Sequence, residues 1–248
     1  MQKKIKAALS VMAMVCATQA MANVVITGTR IIFPSNEREV SVKLSNEGEA
    51  PGLVQAWVDN GDIDSSPESA KAPFVLTPPV FRVDPKKGQT MRLLYTREPL
   101  PDDRESVFWL NLLEVPPKPQ DAEDSNFLQM AFRTRIKIFY RPVALNSVQK
   151  TEDAVNGMKW SLQRAADGQT YVLRAVNPSP YFITVTEAGI VAAGKKIDSE
   201  DSHMLAPGAQ HDFALKNVRQ LPAGEVVVRF LTINDWGSAI ETKTPLTP

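Results

Sequence analysis

The chain has 248 residues, 28 Lys and Arg against 28 Asp and Glu, and an apolar share of 43%. That balance excludes a general binder of nucleic acid or anionic membrane, which needs a clear excess of cations. The length admits one large domain or two of ordinary size.

Residues 1–22 read as a secretory leader. Lys3, Lys4 and Lys6 make a basic start, residues 7–17 an apolar core, and Ala20-Met21-Ala22 a small-x-small cleavage site before Asn23. The apolar run is shorter than the ~20 residues a membrane span requires, and no later segment is apolar enough, so no membrane insertion is expected. Cleavage removes three lysines and no acid, taking the 28 cations to 25 against 28 acids. It also removes Cys16, the only cysteine. The mature chain then has no thiol in a compartment that permits disulfides, so its stability must come from packed cores.

Short alternating runs follow, at 24–33, 40–46, 53–59, 90–96 and 107–115, and no amphipathic helix is evident. The connectors are rich in turn residues, such as Asn60-Gly61-Asp62, Thr77-Pro78-Pro79 and the stretch DPKKG at 84–88. This spacing predicts an antiparallel sandwich. A longer alternation covers 126–140, NFLQMAFRTRIKIFY. Leu128, Met130, Phe132, Ile136, Ile138 and Tyr140 share one parity, and Gln129, Arg133, Arg135 and Lys137 the other. As one strand it would reach about 50 Å, with bulky side chains on one face and cations on the other. That makes it a platform for a partner chain.

Arg141-Pro142 ends this run, because proline has no amide proton to continue a ladder. A polar stretch at 146–157 precedes a second strand series: 159–164, an Asp167-Gly168 turn, 171–177, 182–191, 211–215, 225–233, the turn Asp235-Trp236-Gly237, and 239–244. The simplest partition is two all-β domains of unequal size meeting near Ala144, 23–144 and 145–248.

Catalytic options are thin. His203 and His211 are the only histidines, without HExxH or HxH spacing, so a metal site is not expected and both read as ordinary loop and strand residues. No GxSxG elbow, P-loop or dinucleotide fingerprint appears, and the acids at 102–103 and 121–124 read as solvated loops. The chain is therefore read as a non-enzyme with no cofactor. Lys137 interrupts the apolar run IKIF, and Arg30 sits in the opening strand. Each could simply face water, or the two could converge as an anion site; spacing alone leaves them over a hundred residues apart.

The run LPDDRESVFWLNLLEVPP at 100–117 resembles the signature of the periplasmic pilus (fimbrial) assembly chaperones. So do Thr29-Arg30, RIKIFYRP at 135–142 and INDWG at 233–237, all in the family's order. The short polar connection KPQDAEDS at 118–125 resembles the branch with a short loop before the donor strand.

The resemblance implies two immunoglobulin-like β-sandwich domains in an L shape, with a cleft between them. Arg30 and Lys137 match the basic pair that grips the C-terminal carboxylate of a pilin subunit. Leu128, Met130 and Phe132 match the apolar residues of the strand lent to that subunit. Glu105, Arg141 and Asp235 match a charged trio that fixes the angle between the domains. The implied partners are pilin subunits and an outer-membrane usher in the periplasm, with self-association shielding the strand when the protein is free. The competing reading is a secreted immunoglobulin-like binding or adhesion module, with Trp57, Trp109, Trp160 and Trp236 as a sugar platform.

Overall fold

The computed structural model describes residues 23–118, 128–165, 168, 170–215, 218 and 224–246. The leader, the acidic run at 121–124, Asn126, Phe127 and Asp167 lie outside the described residues.

The first unit contains β1 (Val24–Ile26), β2 (Arg30–Pro34), β3 (Glu39–Asn46), β4 (Gly52–Asp59), β5 (Phe74–Thr77), β6 (Val80–Val83), β7 (Gly88–Tyr95), β8 (Ser106–Val115) and β9 (Phe132–Arg141). They form a four-stranded sheet, β1-β3-β7-β5, and a five-stranded sheet, β2-β9-β8-β4-β6. The alternation of β8 turns Phe108, Leu110 and Leu112 inward against Ile136, Ile138 and Tyr140 of β9, and all six are buried in one core. Each such side chain contributes about 1.5–3 kcal/mol by leaving water.

The second unit begins with α1 (Val148–Asn156) and continues through β10 (Lys159–Arg164), β11 (Tyr171–Val176), β12 (Ile183–Ala192), β13 (Lys195–Asp198), β14 (His203–Leu205), β15 (Gln210–Ala214), β16 (Val226–Ile233) and β17 (Ala239–Pro245). A three-stranded sheet, β10-β11-β15, faces a five-stranded one built on β12, β16 and β17. Trp160, Leu173, Phe213 and Phe230 fill a separate core between them.

Three expectations are corrected. The opening run at 24–33 is two strands in different sheets: β1 pairs with β3, whereas β2 pairs in parallel with β9. Gly28 bends the chain between them at φ +93°, in the left-handed region. The run at 126–140 is shorter than expected, because β9 begins only at Phe132, opposite Glu114. The ladder with β8 stops at Glu114, one residue before β8 itself ends, and residues 128–131 have no ladder partner among the described residues. The polar stretch after Pro142 contains a helix, α1, which fully buries only Ala154 and packs Val155 partly against the second core.

Candidate functional site

β2 and β9 bring together two residues that lie far apart in sequence. Their parallel register sets Arg30 directly opposite Lys137. Both belong to the outward parity of the sheet, and both line a cleft of about 490 Å³ with Thr29, Trp109, Arg135, Ile136, Ile233 and Gly237. Ile233 and Gly237 come from the second unit, so the cleft lies between the two sandwiches. The Arg30 guanidinium donates through Nη1 to the Ile233 carbonyl at 2.9 Å and lies 5.5 Å from the Phe139 ring. Its Nε is buried with no partner among the described residues.

Burial and like charge both work against this pair of cations. Burial pushes Arg30 below its ordinary value, and Asp235 and Glu105 pull it part of the way back. Burial and the nearby Arg30 charge both push Lys137 down. Among the described residues, no carboxylate forms an ion pair with Lys137. A small anion would relieve both the like-charge contact and the unused donors.

Beside this cleft β9 has an open edge. β2 covers it only from Lys137 to Arg141, whereas β8 pairs with its other side from Phe132 onward. Residues 132–136 therefore carry a free ladder edge among the described residues. Leu128 is 85% exposed and Met130 49%, and Phe132 is half-buried. Phe132 continues the parity of Ile136 and Ile138, so the apolar face runs out of the core into the open.

Glu105, Arg141 and Asp235 meet where the two sandwiches touch. Arg141 donates through Nε to Glu105 at 2.7 Å and through both Nη atoms to Asp235 at 2.6 and 2.8 Å. Glu105 also accepts the Phe182 amide at 2.8 Å, and its own amide donates to the Pro180 carbonyl at 2.9 Å. For Arg141, burial acts downward, but the hydrogen bonds and charges of Asp235 and Glu105 outweigh it and hold its charge firmly. Burial raises Glu105, against the pull of Arg141 and the Phe182 amide.

Several features were not foreseen in the sequence. Trp109 and Arg135 line the cleft, and Arg135 stands 4.9 Å from the Trp109 ring. His203 and His211, eight apart, stack with ring centres 3.8 Å apart, and His211 bonds Asp201 at 2.6 Å. No group of three metal-ligating side chains forms among the described residues. The four tryptophans do not gather: Trp160 is buried in the second core, Trp57 and Trp109 lie on the first unit, and Trp236 is exposed.

Comparison with known proteins gives consistent matches along the chain. Residues 23–146 match the sequence profile described as "Pili and flagellar-assembly chaperone, PapD N-terminal domain", and residues 153–244 match "Pili assembly chaperone PapD, C-terminal domain". The chain is 43% identical over 232 residues to the probable fimbrial chaperone YadV of Escherichia coli K12, covering 92% of each chain. It is 41% identical to the chaperone protein FimB/FhaD of Bordetella pertussis, covering 89% of this chain and 87% of that one. The crystal structure of YadV chaperone superposes with a TM-score of 0.75 at 40% identity, covering 91% of this chain and all of that one.

Proposed function

This chain belongs to the pili-assembly chaperone family, a family of non-enzymatic proteins, and we propose that it lends an edge of β9 to pilin subunits while Arg30 and Lys137 hold the subunit's terminal carboxylate. In this reading residues 1–22 are a cleaved leader, 23–144 and 145–248 are the two domains, and the protein works in the periplasm. No helix among the described residues is long and apolar enough to cross a membrane.

The observation that carries the proposal is the relation of the free edge to the cation pair. β2 starts at Arg30, opposite Lys137, and the open edge of β9 begins at the very next residue, Ile136. A guest strand added there in line with β2 would run parallel to β9 and end at the two cations. Its carboxylate would meet Arg30 and Lys137, which fixes register. A slip of one residue would turn every apolar side chain to the wrong face. Leu128, Met130 and Phe132 would then fill the groove of a guest sandwich that lacks a strand.

Each added backbone hydrogen bond contributes a net ~0.5–1.5 kcal/mol, and each large apolar side chain buried ~1.5–3 kcal/mol before ordering costs. These contributions tolerate many guest sequences, as capping several subunits requires. No nucleotide motif is present in the sequence, so the energy for folding and capping would come from the complex itself, and the capped subunit would then be delivered to an outer-membrane usher. Pairing of two chaperones through the same edge would shield it in the free protein.

Co-expression with a cognate pilin tests the reading. Arg30→Ala or Lys137→Ala should abolish recovery of the soluble pair while barely moving the chaperone's own melting. Survival of the pair in both variants would overturn the carboxylate anchor. The competing reading, a sugar-binding module, is less favoured because the four tryptophans lie at separate places and because it leaves the half-buried Lys137 without a role.

A further inference from the structure

A row of side chains crosses the outward face of the larger sheet of the first unit, running from the cleft to β4. Arg30 on β2 is opposite Lys137 on β9, Lys137 is opposite Trp109 on β8, and Trp109 is opposite Asp59 on β4. Directly opposed residues on one face have Cβ atoms about 4.5–5.5 Å apart. Trp109 is therefore the cross-strand neighbour of Lys137, and both line the cleft.

The indole is itself fixed. The Arg135 guanidinium stands 4.9 Å from its centre. Gly61 approaches so closely that a Cβ there would meet the ring at 3.2 Å. Arg135 in turn hydrogen-bonds the carboxylate of Asp59, which is wholly buried. Asp59 also accepts from Asn111 Nδ2 at 2.6 Å, Ser65 Oγ at 3.0 Å and the Gly61 amide at 2.7 Å. Four donors hold that carboxylate in one place. Arg135 lines the cleft but already has its counter-ion, which sets it apart from Lys137.

We propose that Asp59, Arg135 and Trp109 are positioning residues that hold the Lys137 stem, so that its ammonium is in place before the guest's carboxylate arrives. This rests on the reading of the cleft as a terminal-carboxylate site. A lysine is a compact charge on a flexible four-carbon stem, and freezing that stem during binding is a cost that a pre-packed indole removes. Arg30 needs no such support, because Ile233 already holds its guanidinium. Buried Asp59 supplies the fixed point, Arg135 carries it to the indole, and the indole carries it to the lysine.

The test uses the full mature chain and one peptide of about twelve residues alternating apolar and polar side chains, made as a free acid and as a C-terminal amide. Calorimetry of both forms gives the acid-to-amide affinity ratio. The wild type should favour the acid by roughly tenfold or more. Trp109→Leu and Arg135→Gln should each lower that ratio by about three- to tenfold, the acid losing more affinity than the amide, and Trp109→Phe should restore most of it. In a Lys137→Ala background, Trp109→Leu should change the ratio no further. A ratio that stays at the wild-type level in both variants, or equal losses for acid and amide, overturns the positioning role. A wild-type ratio near one would instead remove the carboxylate reading itself. Should Trp109→Leu not fold, Arg135→Gln alone decides, since its side chain is partly exposed.

Discussion

Lys137 is pushed below its ordinary value by burial and by Arg30, which has a consequence for guest binding. A bound carboxylate favours the charged ammonium and raises its pKa, so binding takes up a proton wherever the free cleft holds a partly neutral lysine. Affinity should be flat from about pH 7 and then fall as pH rises through the depressed free-state value, earlier than the ~10.4 of an ordinary lysine. Calorimetry across that range checks it, and Lys137→Arg should flatten the curve. Asp59 carries the opposite sign. Burial works to raise it, but Arg135, Asn111, Gly61 and Ser65 prevail and hold it below the usual carboxylate range. A depressed carboxylate stabilises the fold above its unfolded value of ~3.9 and loses that contribution as pH falls through the folded value. Asp59→Asn should therefore cost about 3 kcal/mol at neutral pH, where it strands part of the Arg135 charge. The gap from wild type should close on acidification. A gap equally large at about pH 2 would remove this account.

At the scale of elements, β9 has two faces and two edges with different duties, so parity gives a sharp prediction. Met130→Asp changes an exposed side chain on the apolar parity, and Gln129→Asp one on the other. Both should leave the chaperone's melting within ~0.5 kcal/mol. Only Met130→Asp should lose the guest in a pull-down, and equal loss from both would refute the face assignment. The parity itself was legible in the sequence, because alternation is local. The length of β9 was not, because a strand ends where its ladder ends, and nothing in residues 126–131 states that the ladder with β8 stops at Glu114. The break in the opening strand left a trace that is clear with the fold in view: the buried positions are Val24 and Ile26, then Ile31 and Phe33, a change of parity across Gly28. Helix α1 was missed because it fully buries only a single residue. The meeting of Arg30 with Lys137 follows from a parallel pairing of distant strands, which no local pattern encodes. Resemblance named the pair; only register gives it a geometry.

The described residues form two cores, and between them the Arg141–Glu105 pair is almost wholly buried. Arg141 is 4% exposed, Glu105 3%, and Asp235 comes from the turn that also places Gly237 against Thr29 at the cleft. A buried pair adds little net stability over apolar packing, but removing one partner costs about 3–5 kcal/mol because the other charge is stranded. Arg141→Ala strands both acids. Glu105→Gln should be milder, roughly 1–2 kcal/mol, because burial already opposes the charged form of Glu105 and glutamine can still accept the Phe182 amide. The domain-angle role makes a further demand on Arg141→Ala. Once the turn at Asp235 is released, Ile233 no longer holds the Arg30 guanidinium in a fixed cleft. Calorimetric unfolding should then split from one transition into two, one for each core. Guest capture should fall even though Arg141 lies outside the proposed carboxylate pair. If Arg141→Ala lowers the melting temperature but keeps a single transition and full capture of the guest, the trio stabilises the chain without setting the geometry between its domains.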